Sequence, residues 1–174
     1  MNLEGVRVVG ALDLRPFSQI VEIRRKYPAH PAVRERFNEP IIVFLTICSK
    51  ARKPLFAHAD SMAVILDAWQ RAKSWSIGRY VVMPDHLHLF CAPAVFPTEP
   101  LMHWVRYWKS IASKNWPRPH EQPIWQRDFL DTQLRRSENY ESKWQYVVDN
   151  PVRAGLASSA DEWPFQGELS FLRW

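Results

Sequence analysis

The sequence predicts an α+β domain, an antiparallel sheet with helices packed on one side. Three observations carry this. Apolar β-branched runs and amphipathic stretches of helical period follow one another irregularly, as strand, helix, strand, strand, helix, strand, helix, so a doubly wound α/β sheet is disfavoured. The link between the second and third strands is short enough to impose a hairpin. The composition suits one folded unit: of 174 residues, 47% are hydrophobic and 24% charged, enough for a real core and against wholesale disorder.

Residues 1–39 form an N-terminal extension to which no chemistry is assigned. In it "VRVVGALDL" reads as a short strand and "SQIVEIRRKYP" as a helical turn or two, punctuated by Pro28, Pro31 and Pro40. The domain proper is residues 40–174. It opens on "IIVFLTICS", 41–49, a near-continuous apolar run that reads as a central strand. Residues 61–75 read as a helix with Ser61 as N-cap and Met62, Ile65, Leu66 and Trp69 on one stripe. "SIGRYVVMP" and "HLHLFCAP" are the hairpin strands.

Residues 98–116 read as a second helix, capped by Thr98. Leu101, Trp104, Val105, Trp108, Ile111 and Ala112 make its apolar face, and His103, Arg106, Lys109, Ser113 and Lys114 its polar one. "IWQRDFLDTQLR", 124–135, reads as a fourth strand. Ser137 then opens a helix, "SENYESKWQYVVDN", that runs into Pro151, and "ADEWPFQGELSFLRW" closes the chain. The first six elements follow the ferredoxin-like order β-α-β-β-α-β.

The net charge of +5 and pI near 9.4 favour a polyanionic partner mildly. Two distant cysteines, Cys48 and Cys91, fit neither a disulfide framework nor a zinc finger. The first residues lack a secretory pattern, and no apolar run approaches the roughly 18 residues of a membrane span, so a cytoplasmic protein is expected. Nine tryptophans are either core pieces or stacking platforms for bases.

Two features point to chemistry. In "YVVMPDHLHLF", His86 and His88 share one strand face, roughly 7 Å apart, where two imidazoles can converge on one ion. Two exposed polar residues on a half-buried strand would give the same pattern. In the last helix, Tyr140, Trp144, Val147 and Val148 fall on one side at about 100° per residue, and Tyr146 falls opposite with Asn139, Lys143 and Asn150. Either Tyr146 covers its surface neighbours or its phenol faces a site. Asn150 follows it by four residues, within reach on a helix.

"MPDH" with its His-hydrophobic-His strand, "YVVDNPVRAGL" and the later "EWPF" together resemble the REP-associated tyrosine transposases of the HUH single-tyrosine group. The resemblance runs from about Pro40 to Phe165. It implies the HUH endonuclease fold and an enzyme that cleaves and rejoins single-stranded DNA beside imperfect palindromic hairpins. It further implies that His86 and His88 bind Mg²⁺ or Mn²⁺, that Asn150 completes the metal site, and that Tyr146 is the nucleophile forming a 5′-phosphotyrosine. Where relatives often carry a histidine in the strand before the last helix, this chain has Thr132. With that family in view, Arg106, Lys109, Lys114 and Lys143 are expected DNA contacts. Monomer and homodimer stay open. The alternatives are a ferredoxin-like module that binds single strands without catalysis, and a metal-dependent hydrolase using activated water.

Overall fold

Strand alternation sorts the whole structure. A computed structural model of the chain describes residues 41–134 and 137–173; the strand and helical turn expected in the extension lie outside them. Five strands, β1 (Val43–Cys48), β2 (Trp75–Val82), β3 (His86–Pro93), β4 (Leu130–Gln133) and β5 (Gln166–Glu168), pair antiparallel in the order β4-β1-β3-β2-β5. The fold is α+β, with the expected ferredoxin-like arrangement of its first four strands.

Val43, Leu45 and Ile47 of β1 and Leu87, Leu89 and Cys91 of β3 face one side. There they meet α1 (Ala59–Arg71) and α2 (Leu101–Lys114) through Ile65, Trp69, Trp104, Val105 and Trp108. Most of the apolar burial is here. Trp104 and Trp108 are fully buried, and Trp69, Trp75 and Trp116 nearly so. These five tryptophans are core rather than platforms: burying such side chains removes some 150–250 Å² each from water.

The other face carries Ile42, Phe44, Val81 and Phe90, covered by α3 (Ser137–Val148) through Tyr140 and Val147, and by Trp163 and Leu172 of the tail. The two helices of the split βαβ units thus share one side as expected, and the last helix takes the opposite side. Leu172 reaches the sheet at Gly78, where a Cβ would stand 2.7 Å from the leucine side chain, so glycine is needed for that contact.

Four local expectations change. Ser61 is no cap: the helix starts at Ala59, and the buried Ser61 hydroxyl donates to the Leu55 carbonyl at 2.9 Å. Thr98 does not cap α2, which begins at Leu101; Glu99 instead accepts from the Ser74 hydroxyl and, through its carbonyl, from the Trp75 indole. The fourth strand is shorter than 124–135. Among the described residues Leu130–Gln133 pair as a ladder, with an isolated bridge from Ser49 to Trp125. The closing tail contributes β5, which extends the sheet beside β2. Among the described residues no helix is long and apolar enough to cross a membrane.

Candidate active site

β3 is held on both sides, by β1 and β2, so its side chains stand on a rigid base. His86 and His88 point to the α3 side with ring centroids 4.8 Å apart, edge to face. Each ring is anchored at Nδ1. His86 Nδ1 lies 2.6 Å from an Asp85 carboxylate oxygen. Burial pushes the Asp85 carboxyl up, but the hydrogen bond from His86 and the charges of His86 and Arg52 outweigh it and leave it below its ordinary value. An ionised carboxylate only accepts, so His86 Nδ1 is the donor in that hydrogen bond. Arg52 holds the other Asp85 oxygen at 2.8 Å.

His88 Nδ1 meets the Thr46 hydroxyl at 2.9 Å across the β1–β3 register, and its ring stacks on Phe44 at 5.3 Å. Burial, with the positive charges of His86, Arg52 and Lys143, holds His88 well below the ordinary imidazole value. It is a neutral ring, as a metal ligand must be. Rings held at Nδ1, with Nε2 left as the other nitrogen, match the way second partners orient metal-binding histidines, so the pair fits a divalent ion. Among the described residues no cluster of three His, Cys, Asp or Glu side chains could hold a metal.

Tyr146 reaches this face from α3, half-buried against the same cluster as Phe44 and Phe90. As the helical projection grouped them, it shares one wall with Asn139 and Lys143. Lys143, one turn earlier, places Nζ 5.1 Å over the Phe44 ring, and Phe44 is the ring that stacks on His88. His88, Phe44 and Lys143 are therefore neighbours, and Lys143 and Tyr146 line one cavity. That cavity, about 610 Å³, lies between β4 and α3, with Thr132, Gln133, Asn139 and Ser142 also on its wall.

α3 ends at Val148, and Asn150 opens a separate short helix, α4 (Asn150–Arg153). Tyr146 and Asn150 are thus not on one continuous helix. Pro151 explains the break: it has no N–H, and its ring clashes with the carbonyl four residues back. Arg153 bridges the gap. Its guanidinium donates to the Tyr146 carbonyl and the Asn150 side-chain oxygen, and sits 4.1 Å from the Tyr146 ring centroid. Burial raises the Tyr146 phenol, and Arg153 pulls it partly back.

Tyr140 behaves differently. It is buried, with its ring edge-on to Phe90 at 4.7 Å, and it serves packing.

The remaining expected contacts are elsewhere. Arg106, Lys109 and Lys114 belong to α2, across the sheet from the histidines. Arg106 and Lys114 are exposed. Lys109 is not on the solvated face: only 7% exposed, it donates to the Gln126 carbonyl at 3.1 Å and lies over Trp125 and Phe129. The polar rim of α2 is narrower than its periodicity indicated, because the 124–129 segment folds over it.

Sequence reasoning missed Thr46, Arg52, Asp85 and Arg153. Asp85 and Arg153 sit inside the quoted motifs, and a carboxylate next to a histidine was a usable signal. Thr46 is 42 residues from its partner and gave none.

No protein-family model matches the chain. Its sequence is 26% identical over 97 residues to a REP-associated tyrosine transposase of Escherichia coli (strain K12), covering 55% of this chain and 56% of that protein. The chain is similar to a REP-associated tyrosine transposase. The match spans about half the length of that relative. A REP-associated tyrosine transposase solved bound to a REP hairpin superposes at TM-score 0.61, with 21% identity, covering 76% of this chain and 79% of that one. That likeness shows a shared fold.

Proposed function

We propose that the chain is a transposase-type endonuclease that cleaves and rejoins single-stranded DNA beside hairpins, through a tyrosine–DNA intermediate and with Mg²⁺ or Mn²⁺. The observation that carries this is the gathering of the anchored His86–His88 pair, Lys143 and Tyr146 on one face of the sheet. The transposase relative and the hairpin-bound structural neighbour support the same reading.

His86, His88 and the Asn150 amide oxygen are the proposed ligands. When bound, a divalent ion would polarise the scissile phosphate. The chain's own residues do the rest. Tyr146 Oη attacks phosphorus in line as its proton passes to solvent. The bond to the 3′ oxygen breaks, and that oxygen leaves as a 3′-OH, with the 5′ phosphate now on the tyrosine. Attack by another 3′-OH reverses the sequence and joins new ends. The phosphoester is conserved throughout, so no nucleotide triphosphate is required. An unassisted phenol, near pKa ~10, is a weak nucleophile at neutral pH. Arg153 against its ring offsets part of the burial that raises the phenol, and Lys143, at the cavity shared with Tyr146, is the proposed cation for a phosphate oxygen.

The test is incubation of the protein with labelled hairpin-bearing single strands from its genomic neighbourhood, with and without Mn²⁺. A metal-dependent, protease-sensitive band on a denaturing gel is expected. Metal-dependent cleavage without a covalent band would favour a hydrolase, and tight binding without cleavage a binding module.

A further inference from the structure

We propose that Arg52 is a positioning residue for the reaction: acting through Asp85, it fixes the orientation of the His86 ring. The inference rests on His86 as a metal ligand and adds to that reading a residue from outside the histidine motif. The contacts run in line. Arg52 Nε lies 2.8 Å from Asp85 Oδ2, and Asp85 Oδ1 accepts from His86 Nδ1 at 2.6 Å. Both carboxylate oxygens are thus engaged, one by the guanidinium and one by the ring. The Asp85 side chain cannot turn without breaking one of these charge-assisted contacts. The guanidinium is itself steadied. Its Nη1 donates to Cys48 Sγ at 2.8 Å, and Cys48 pairs with His86 across the β1–β3 register.

The backbone that carries Arg52 is strained. Ala51 and Arg52 both have positive φ, 55° and 56°, in the left-handed region that crowds a Cβ and that glycine occupies freely. Neither is glycine, so the surroundings have to hold the turn. They do. The Arg52 N–H donates to the Ser49 carbonyl at 3.2 Å, and the buried Ser49 hydroxyl to the Lys53 carbonyl at 2.7 Å. The Lys50 N–H donates to the Ile124 carbonyl at 2.7 Å, and the Ser49 N–H to the Asp85 carbonyl at 2.9 Å. The last bond joins the turn directly to the histidine loop. That loop is also pinned from the Phe56 N–H to the Pro84 carbonyl at 2.8 Å. An ion pair whose side chains are 41% and 27% exposed adds little to stability by itself. Its consequence is geometric: a strained turn aims a guanidinium at the carboxylate that holds a ring nitrogen.

The test uses Arg52→Gly, which deletes the guanidinium and suits the left-handed turn, so the unfolding temperature should not fall. Two measurements are made without DNA. In the metal-free protein, nitrogen-edited NMR follows the His86 Nδ1–H proton, which exchanges slowly with water while Asp85 holds it. In Arg52→Gly that proton should broaden or vanish, although His86 and Asp85 are both present. Calorimetric titration should show Mn²⁺ binding weakened about 3- to 10-fold, less than loss of a direct partner of the ligand. In the Asp85→Ala background Arg52→Gly should weaken Mn²⁺ no further. Combined with Thr46→Val, which acts on the other ring, its effect should add in full. A proton signal and an Mn²⁺ affinity both unchanged in Arg52→Gly would overturn the proposal and leave the metal reading standing. A loss of affinity that persists undiminished in the Asp85→Ala background would overturn it as well. If the unmodified protein binds no Mn²⁺ and the proton still depends on Arg52, the metal reading fails and Arg52 remains the residue that sets the ring.

Discussion

The Arg153 guanidinium lies 4.1 Å from the ring centroid of Tyr146 and also bonds the side-chain oxygen of Asn150. One cation therefore ties the proposed nucleophile to the proposed third ligand. Arg153→Ala should lower the rate of covalent adduct formation about 10- to 100-fold, with a much smaller change in DNA affinity. Arg153→Lys should recover little, because lysine lacks the planar fork that spans both partners and stacks on the ring. Equal losses in rate and in affinity, measured by gel and by anisotropy, would make Arg153 a DNA contact instead.

Tyr146→Phe removes one oxygen and keeps the ring. Cleavage should vanish while strand binding survives, and the unfolding temperature should change little. Tyr140→Phe should remain active, because its ring serves the Phe90 cluster. A covalent band persisting in Tyr146→Phe, or lost only in Tyr140→Phe, would show the wrong tyrosine had been chosen.

The anchors behind the histidines should control metal affinity. Thr46→Val deletes the hydroxyl at His88 Nδ1, and Asp85→Ala deletes the carboxylate at His86 Nδ1. Each should weaken Mn²⁺ binding about 10- to 100-fold. Calorimetric titration reads this without DNA, and unchanged affinity would remove the anchors from the argument.

Lys109 gives a stability prediction. Burial holds its ammonium down to about 8, below the ordinary lysine value of about 10.4. Between those values the unfolded chain keeps a proton that the folded chain has released, so stability rises with pH through that window. Below it the folded state carries a buried charge. Lys109→Met should therefore be the more stable protein at pH 7, and its advantage should shrink by something on the order of 2 kcal/mol by pH 10. Parallel pH dependence of urea unfolding in both proteins would contradict this.

What the sequence made legible followed from local pattern. The β1 and β3 runs are apolar enough to declare strands, and two histidines one residue apart must share a face. The "NP" break and the nearby tyrosine were visible for the same reason. β5 was not, because Gln166, Gly167 and Glu168 carry no apolar alternation; the strand exists only because β2 offers an edge. Lys109 was misplaced because helical period ranks residues by angle, and it cannot foresee a later segment folding over the polar flank. The link between Thr46 and His88 depends on strand register, which no local stretch encodes.

The division of β3 between its two neighbours has an evolutionary reading. Odd-numbered residues of this strand, Leu87, Leu89 and Cys91, belong to the tryptophan-rich side, and even-numbered His86 and His88 to the reactive side. A slip of one residue against β1 would drive both imidazoles among indoles and leave leucines facing Tyr146. Each stranded imidazole would then be a desolvated polar group without a partner. A misregistered strand is thus unstable before it is inactive. Selection on mere foldedness guards the placement of the proposed site, and the face around it can change without endangering the frame that aligns it.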